Sequence, residues 1–184
     1  MPAPKSINDL VARFSQNIAS YSDSKYKEAH VRQEFINPFF EALGWDMANR
    51  QDFAEAYKEV IHEDAVKMGA ATKAPDYSFR VGGTRKFFVE AKTPSVNIKD
   101  DSEPAYQLRR YAWSAKLPLS ILTDFEEFSV YSCREKPENG GGKDINLMLE
   151  ARVKEGILII KNAAPLRIAP PWGDERKEKA TKDV

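Results

Sequence analysis

The chain has 184 residues, of which 42% are apolar and 11% are aromatic. This length supports one domain with a hydrophobic core, and this composition excludes wholesale disorder. Lys and Arg total 28, as do Asp and Glu, so the formal net charge is zero. Any contact with nucleic acid therefore requires a local concentration of positive charge or the help of a second module.

The cellular setting is constrained by the single cysteine, which excludes an internal disulfide framework and is typical of a reducing compartment. No apolar run approaches the ~20 residues of a membrane span, and the first residues lack the apolar core of a signal peptide. We therefore expect a cytoplasmic protein with no membrane partner.

The N-terminal region, residues 1–44, predicts helices that pack on the core. The apolar residues of the first helix recur at helical spacing at Ile7, Leu10, Val11, Phe14 and Ile18. A second helix is predicted from about residue 25 to Leu43, and Gly44 is a suitable stop. Because Pro38 lies inside this pattern, we expect a kink near Asn37.

After Trp45 the pattern changes to short strands. The predicted elements are a weak strand at 58–66, a hairpin of 76–81 and 85–92 around Gly82-Gly83, a helix from Ser102 to about Lys116, and strands at 117–123 and 127–132. This order predicts an α/β sandwich around a small mixed sheet, with the core at 45–134. Residues 135–184 predict a flexible linker at 138–144, one further strand at 156–161 and a charged, disordered tail from Asp174.

Three residues of the hairpin form a chemically suggestive set: Asp76, Glu90 and Lys92. Side chains alternate along a strand, so Glu90 and Lys92 share a face. With a two-residue loop Asp76 stands opposite Val89, and with one bulge or a longer loop it stands opposite Glu90. In both registers the carboxylates come close together at the open end of the hairpin.

Two neighbouring carboxylates repel each other unless a cation neutralises them, and hard oxygen ligands suit Mg²⁺. A lysine beside such an ion can orient a water molecule or stabilise charge on a phosphate. The alternative is that Asp76 is an ordinary turn residue and that Glu90 and Lys92 are a solvated pair. The apolar strand 87–93 argues against this alternative, because charged residues in a buried strand need a reason.

The sequence also resembles a known family. Pro75-Asp76 followed by Glu90-Ala-Lys92 resembles the PD-(D/E)xK nuclease signature. The segments 36–46, 107–111 and 117–131 are similar to the N-terminal nuclease domain of type I restriction enzyme motor (R) subunits and of type IIG restriction–modification enzymes. The resemblance covers about residues 25–134 and implies a restriction-endonuclease-like α/β/α sandwich.

What the resemblance implies is a metal-dependent DNA endonuclease of a restriction–modification system, using Mg²⁺ with Mn²⁺ as a substitute. Asp76 and Glu90 are then the metal ligands and Lys92 the catalytic lysine. The implied partners are DNA and methyltransferase, specificity or motor subunits. The chain has no phosphate-binding Gly-x-x-x-x-Gly-Lys loop and no methyltransferase motif, so translocation and methylation would come from those partners.

The helix after the hairpin supplies candidate DNA contacts in Gln107, Arg110 and Tyr111, which lie close together on one helical face. The alternative is that Tyr111 packs in the core and that Arg109 and Arg110 are solvated. Glu34, beside the apolar stripe of the second helix, is a further candidate metal ligand, with a surface position as its alternative.

Two other functions remain open at this point. One is a degenerate nuclease fold that holds DNA or a partner subunit without cutting. The other is a stand-alone repair or resolvase-type nuclease.

Overall fold

The computed structural model of the chain describes residues 3–68, 71–98, 100–138, 147–154 and 157–161. The helices are α1 (Lys5–Gln16), α2 (Ile18–Tyr21), α3 (Glu28–Val31), a π-helical turn (Arg32–Ile36), α4 (Asn37–Ala42), a 3₁₀ turn (Glu55–Tyr57) and α5 (Glu103–Ser114). The strands are β1 (Val60–His62), β2 (Val66–Met68), β3 (Ala71–Lys73), β4 (Tyr77–Val81), β5 (Thr84–Ala91), β6 (Leu119–Thr123), β7 (Glu127–Ser132), β8 (Leu147–Lys154) and β9 (Ile157–Lys161). No helix in these ranges is long and apolar enough to cross a membrane.

The central sheet has seven strands in the order β1-β4-β5-β6-β7-β8-β9, and β2 pairs with β3 in a separate small sheet. Only the β5–β6 pair is parallel among the described pairs, because α5 connects these two strands. The sheet is therefore mixed, as predicted, but it is larger than predicted. It continues through β8 and β9 beyond the core boundary expected at residue 134. The expected tail, and the linker apart from Glu138, lie outside the described residues.

Each face of the sheet is covered by helices, which confirms the predicted α/β/α sandwich. On one face, α1 and the helices of residues 28–42 pack an aromatic cluster onto β4 and β5, with Phe14, Phe35 and Phe79 fully buried. On the other face, Leu108 of α5 packs against Phe88 and other buried side chains. Burial of such side chains, at roughly 25 cal/mol per Å² of apolar area, is the main stabilising term of the fold.

The predicted second helix is present but irregular. Pro38 has no N–H to donate to the carbonyl of Glu34, so the regular α-helical hydrogen bond cannot form there. The chain takes a π-helical turn over Arg32–Ile36, and the guanidinium of Arg13 donates to the Glu34 carbonyl instead. The expected irregularity is confirmed, and it falls just before Asn37.

The β4–β5 hairpin resolves the register that the sequence left open. Val81 pairs with Thr84 around the tight Gly82-Gly83 turn, and the register then shifts between Phe79 and Arg80. The structure therefore combines a two-residue loop with one bulge. Tyr77 consequently pairs with Val89, which brings Asp76 level with Glu90.

Candidate active site

Asp76, Glu90 and Lys92 converge at the C-terminal end of β5. The backbone N–H of Asp76 lies 3.4 Å from Oε2 of Glu90, and the ammonium of Lys92 donates to Oε1 of Glu90 at 2.8 Å. The Lys92 N–H donates to the carbonyl of Thr123 at 2.9 Å, which continues the parallel ladder past the end of β5. The hairpin register and the parallel β5–β6 pair together fix the three side chains in one place.

The electrostatic environment of Glu90 is unfavourable for its charge. Burial, followed by the neighbouring carboxylate of Asp76, raises the pKa of Glu90 despite the opposing ion pair with Lys92. Burial alone would lower the pKa of Lys92, but the carboxylate of Glu90 overrides this effect and raises it. Lys92 is therefore held as an ammonium ion. Additional positive charge nearby would stabilise the ionised form of the Glu90 carboxylate beside it.

Both oxygens of the Asp76 carboxylate have hydrogen-bond partners. Oδ2 accepts from the N–H of Ala91 at 2.7 Å, and Oδ1 accepts from the guanidinium of Arg32 at 2.9 Å. Arg32 also lies 3.6 Å from the exposed carboxylate of Glu63. Arg32 belongs to the π-helical turn, and such turns frequently occur at functional sites.

The N-terminal helices contribute Glu28 to the site. Oε2 of Glu28 lies 3.5 Å from the Lys92 ammonium, and burial raises the pKa of Glu28. The predicted candidate, Glu34, lies instead beside Tyr26, whose pKa is raised by burial and by the charge of Glu34. The early-helix carboxylate next to Lys92 is thus Glu28, and Glu34 lies beside Tyr26 instead.

Glu28 and Arg32 were both missed from the sequence. The sequence pattern could have indicated Glu28. It lies three residues before Val31 and so continues the apolar stripe of Val31 and Phe35. A charged residue on such a stripe faces either the core or a site. Arg32 follows four residues later, where an opposite charge pairs well on a helix.

The three predicted DNA contacts of α5, Gln107, Arg110 and Tyr111, do not all lie beside the carboxylates. Gln107 donates to Glu103 at 2.8 Å and lies 3.4 Å from the hydroxyl of Tyr111. Burial and then the charge of Glu90 raise the pKa of Tyr111, so its half-buried hydroxyl lies within electrostatic range of the carboxylates. Gln107 and Tyr111 therefore border the site. Arg110 is exposed, with its guanidinium 5.5 Å from the ring of Tyr106.

Arg109 does not follow the expectation of a solvated side chain. Only 3% of Arg109 is exposed, on the face of α5 that packs toward the sheet. The helical spacing placed Arg109 next to Leu108, and both residues belong to the buried face. The solvated alternative thus holds for Arg110 and is wrong for Arg109.

The site carries excess negative charge. The carboxylates of Asp76, Glu90 and Glu28 outnumber the cations of Arg32 and Lys92. In the described part of the chain, no three Asp, Glu, His or Cys side chains are gathered closely enough to surround a metal ion. Mg²⁺ commonly uses only one or two carboxylates and keeps several waters, so the pair of Asp76 and Glu90 fits that ion.

Comparison with known proteins agrees with the resemblance read from the motifs. Residues 58–139 match the family model for the N terminus of the type I restriction enzyme R protein. The predicted resemblance to the N-terminal domain of type I restriction enzyme R subunits is confirmed. The matched range contains Asp76, Glu90 and Lys92, together with α5 and strands β1 to β7.

A curated relative extends the match toward the N terminus. Over 147 residues, or 79% of this chain, the sequence is 37% identical to the Type II restriction enzyme and methyltransferase RM.Eco57I of Escherichia coli. The chain spans 14% of the length of that enzyme. No solved structure matches the chain.

Proposed function

We propose that the chain is a metal-dependent DNA endonuclease domain of a restriction–modification system, which hydrolyses DNA phosphodiester bonds. The observation that carries the proposal is the convergence of Asp76, Glu90 and Lys92 at the end of β5. The family match and the relative named as a restriction enzyme support it. This arrangement has the composition of the PD-(D/E)xK signature.

Asp76 and Glu90 are the proposed ligands of Mg²⁺, for which Mn²⁺ would substitute. Glu28 is a third carboxylate at the rim, and it takes the place of Glu34 in this proposal. When bound, the ion supplies positive charge that polarises the scissile phosphate. The excess negative charge of the site supports this assignment, because burial and the neighbouring carboxylate of Asp76 disfavour the charge of Glu90 and raise its pKa.

The chain's own residues would orient the reaction. The ammonium of Lys92 donates a hydrogen bond to the attacking water or to a phosphoryl oxygen, and its raised pKa keeps it charged at neutral pH. Tyr111 and Gln107 donate to phosphate oxygens from α5. Arg32 balances the charge of Asp76 through its ion pair with that carboxylate.

Since the chain spans only 14% of its relative, partners are also part of the proposal. The relative is named as both a restriction enzyme and a methyltransferase, so we propose that this nuclease works beside methyltransferase, specificity or motor subunits. The sequence shows no evident base-reading motif, so we expect poor sequence specificity from the chain alone.

A plasmid-cleavage assay with Mg²⁺, Mn²⁺ or a chelator tests the proposal. Wild type should nick or linearise the plasmid with either ion and be inactive in the chelator. Asp76→Asn, Glu90→Gln and Lys92→Met should each abolish cleavage, and Lys86→Ala, about 20 Å away along β5, should leave it unchanged. Equal cleavage by wild type and Lys92→Met would overturn the proposal.

A further inference from the structure

A basic groove lies at the end of the sheet opposite to Lys92. We define the basic groove by five cations, Arg80, Arg85, Lys116, Arg134 and Lys136, together with Trp113. One cavity of about 330 Å³ is lined by Trp113, Lys116, Leu117, Pro118, Cys133 and Arg134. A second of about 540 Å³ is lined by Arg80, Gly83, Thr84, Arg85, Ala115, Lys116 and Leu117. The cavities share Lys116 and Leu117, so they lie next to each other.

The groove is positively charged. No Asp or Glu is among the described residues that line either cavity. Asp64 lies behind Arg80 and Arg85 and neutralises one of these two guanidiniums. Glu135 and Glu138 flank Lys136 in the sequence, and all three residues lie outside the lining of the two cavities, whose own cations are Arg80, Arg85, Lys116 and Arg134. In a chain whose net charge is zero, this is the kind of local positive charge that DNA contact requires.

Two cations lie against aromatic rings of α5. The Lys136 ammonium lies 5.8 Å from the ring centre of Trp113, an exposed residue of α5. One turn earlier, Arg110 lies over Tyr106 in the same way. Cation–π contacts limit the freedom of these long side chains before any ligand arrives, which lowers the entropic cost of binding a polyanion.

The groove is aligned with the candidate active site. Gln107, Arg110 and Trp113 follow one another along the exposed side of α5, from the carboxylates to the groove. Along β5, Arg85 and Lys92 are separated by about 23 Å at ~3.3 Å per residue. This is less than the roughly 34 Å of one turn of B-DNA, so a single duplex can reach both.

We propose that the basic groove binds the phosphate backbone of the DNA duplex whose scissile phosphate lies at the Asp76–Glu90–Lys92 site. This inference rests on the proposed nuclease function. The groove would supply the affinity that the negatively charged site lacks. Contacts to phosphates carry no sequence information, so the groove would position DNA without selecting a sequence.

The test is binding of a short fluorescent duplex, measured by anisotropy in chelator over a series of salt concentrations. The triple variant Lys116→Asn, Arg134→Gln, Lys136→Gln removes three exposed charges, and asparagine suits position 116 because its φ is +57°. We expect affinity at low salt to fall at least tenfold and the slope of log K against log salt to shrink by about 2 to 3.

A second variant and a matched control accompany the triple variant. Trp113→Leu should weaken binding by about two- to fivefold, since it releases Lys136. The control Lys5→Ala, Lys25→Ala, Arg50→Ala removes equal charge from exposed positions on the helices and loops of residues 1–50 and should bind DNA like wild type.

The proposal is overturned if the triple variant binds DNA like wild type, or if wild type does not bind the duplex at low salt. Wild-type binding of polyglutamate in preference to DNA would assign the groove to an acidic protein and also overturn it. Because binding is measured in chelator, its outcome is independent of cleavage. Asp76→Asn should bind DNA normally and fail to cut, which separates failure of the groove from failure of the nuclease proposal.

Discussion

The ammonium of Lys92 bridges Glu90 of β5, 2.8 Å away, and Glu28 of α3, 3.5 Å away. One side chain thereby joins the end of the sheet to the N-terminal helices. The bridge lies where the hairpin, the parallel β5–β6 pair and the π-helical turn meet. The proposed chemistry and the packing of the helices therefore depend on the same ammonium group.

Replacing Lys92 by Met should separate these two contributions. We expect cleavage to fall at least about 100-fold, because a charge that acts on the reacting phosphate is lost. The free energy of unfolding should fall by about 1 to 3 kcal/mol, because Glu90 loses its cationic partner in a buried setting. Plasmid cleavage and urea denaturation measure the two effects. Full cleavage by this variant would remove Lys92 from the chemistry.

Glu90→Gln should change activity and stability in opposite directions. The raised pKa of Glu90 shows that the fold disfavours its ionised form, and glutamine resembles the neutral form. We therefore expect the metal-free variant to be more stable than wild type while cleavage is lost. Thermal unfolding in chelator checks this prediction, and a clear loss of stability would contradict it.

Tyr111→Phe distinguishes a hydroxyl that contacts phosphate from a ring that packs. The ring is half-buried and its hydroxyl lies 3.4 Å from Gln107, so phenylalanine preserves the packing and removes only the donor. We expect kcat/KM for cleavage to fall about tenfold with little change in Tm, and Gln107→Ala to behave similarly. Unchanged kcat/KM in Tyr111→Phe would assign Tyr111 to packing.

Asp124 should make stability depend on pH. It lies in the β6–β7 turn, where only 3% of the residue is exposed, and its Oδ1 accepts from the N–H of Glu127 at 2.6 Å. Burial, with a contribution from the charge of Glu127, raises the pKa of Asp124 from 3.8 to about 7. The folded state thus binds the proton more tightly than the unfolded state, and the free energy of unfolding falls as pH rises from about 4 to about 7.

The variant Asp124→Asn keeps an oxygen acceptor for Glu127 and removes the titration. We expect wild type to lose on the order of 4 kcal/mol over this pH range, and the variant to lose much less. Urea denaturation at a series of pH values measures both proteins. Parallel pH profiles for the two would show that Asp124 is not the group responsible.

Asp64 should also make the free energy of unfolding depend on pH, but at more acidic pH and in the opposite direction. Burial alone would raise its pKa, but hydrogen bonds from Arg85 and Arg80 lower it to about 2. The stabilisation is therefore complete above the unfolded pKa of about 4 and is lost as pH falls toward 2. Asp64→Asn should cost about 2 kcal/mol at neutral pH, since Arg85 is partly exposed. Glu63→Gln, at the exposed neighbouring position, is the control and should cost almost nothing.

The sequence predicted the order of the core elements and the proximity of Asp76, Glu90 and Lys92, because strand alternation and the Gly82-Gly83 turn are local signals. It did not decide the register of Asp76, because a bulge between Phe79 and Arg80 depends on pairing that no local pattern encodes. Strand β8 was also missed. Its sequence, Leu147–Lys154, is rich in good helix formers, and pairing with β7 overrides that propensity.

The sequence predicted Glu34 as the early-helix carboxylate of the site, whereas Glu28 lies next to Lys92. The reason is similar. Helical periodicity assumes 3.6 residues per turn, and the π-helical turn at Arg32–Ile36 breaks that count between the two glutamates. The carbonyl of Glu34 is satisfied by Arg13, a residue of α1 more than twenty positions away. Such a partner is determined by tertiary packing and cannot be read from spacing.

Direct measurement of Mn²⁺ binding tests the central claim most directly, because it does not depend on the affinity of the chain for DNA. Titration calorimetry should give about one ion per chain for wild type and for Glu63→Gln, whose carboxylate lies near Arg32 but is not a proposed ligand. Asp76→Asn and Glu90→Gln should each abolish this binding. Binding that is unaltered in both variants, or absent in wild type, would contradict the assignment of Asp76 and Glu90 as the metal ligands.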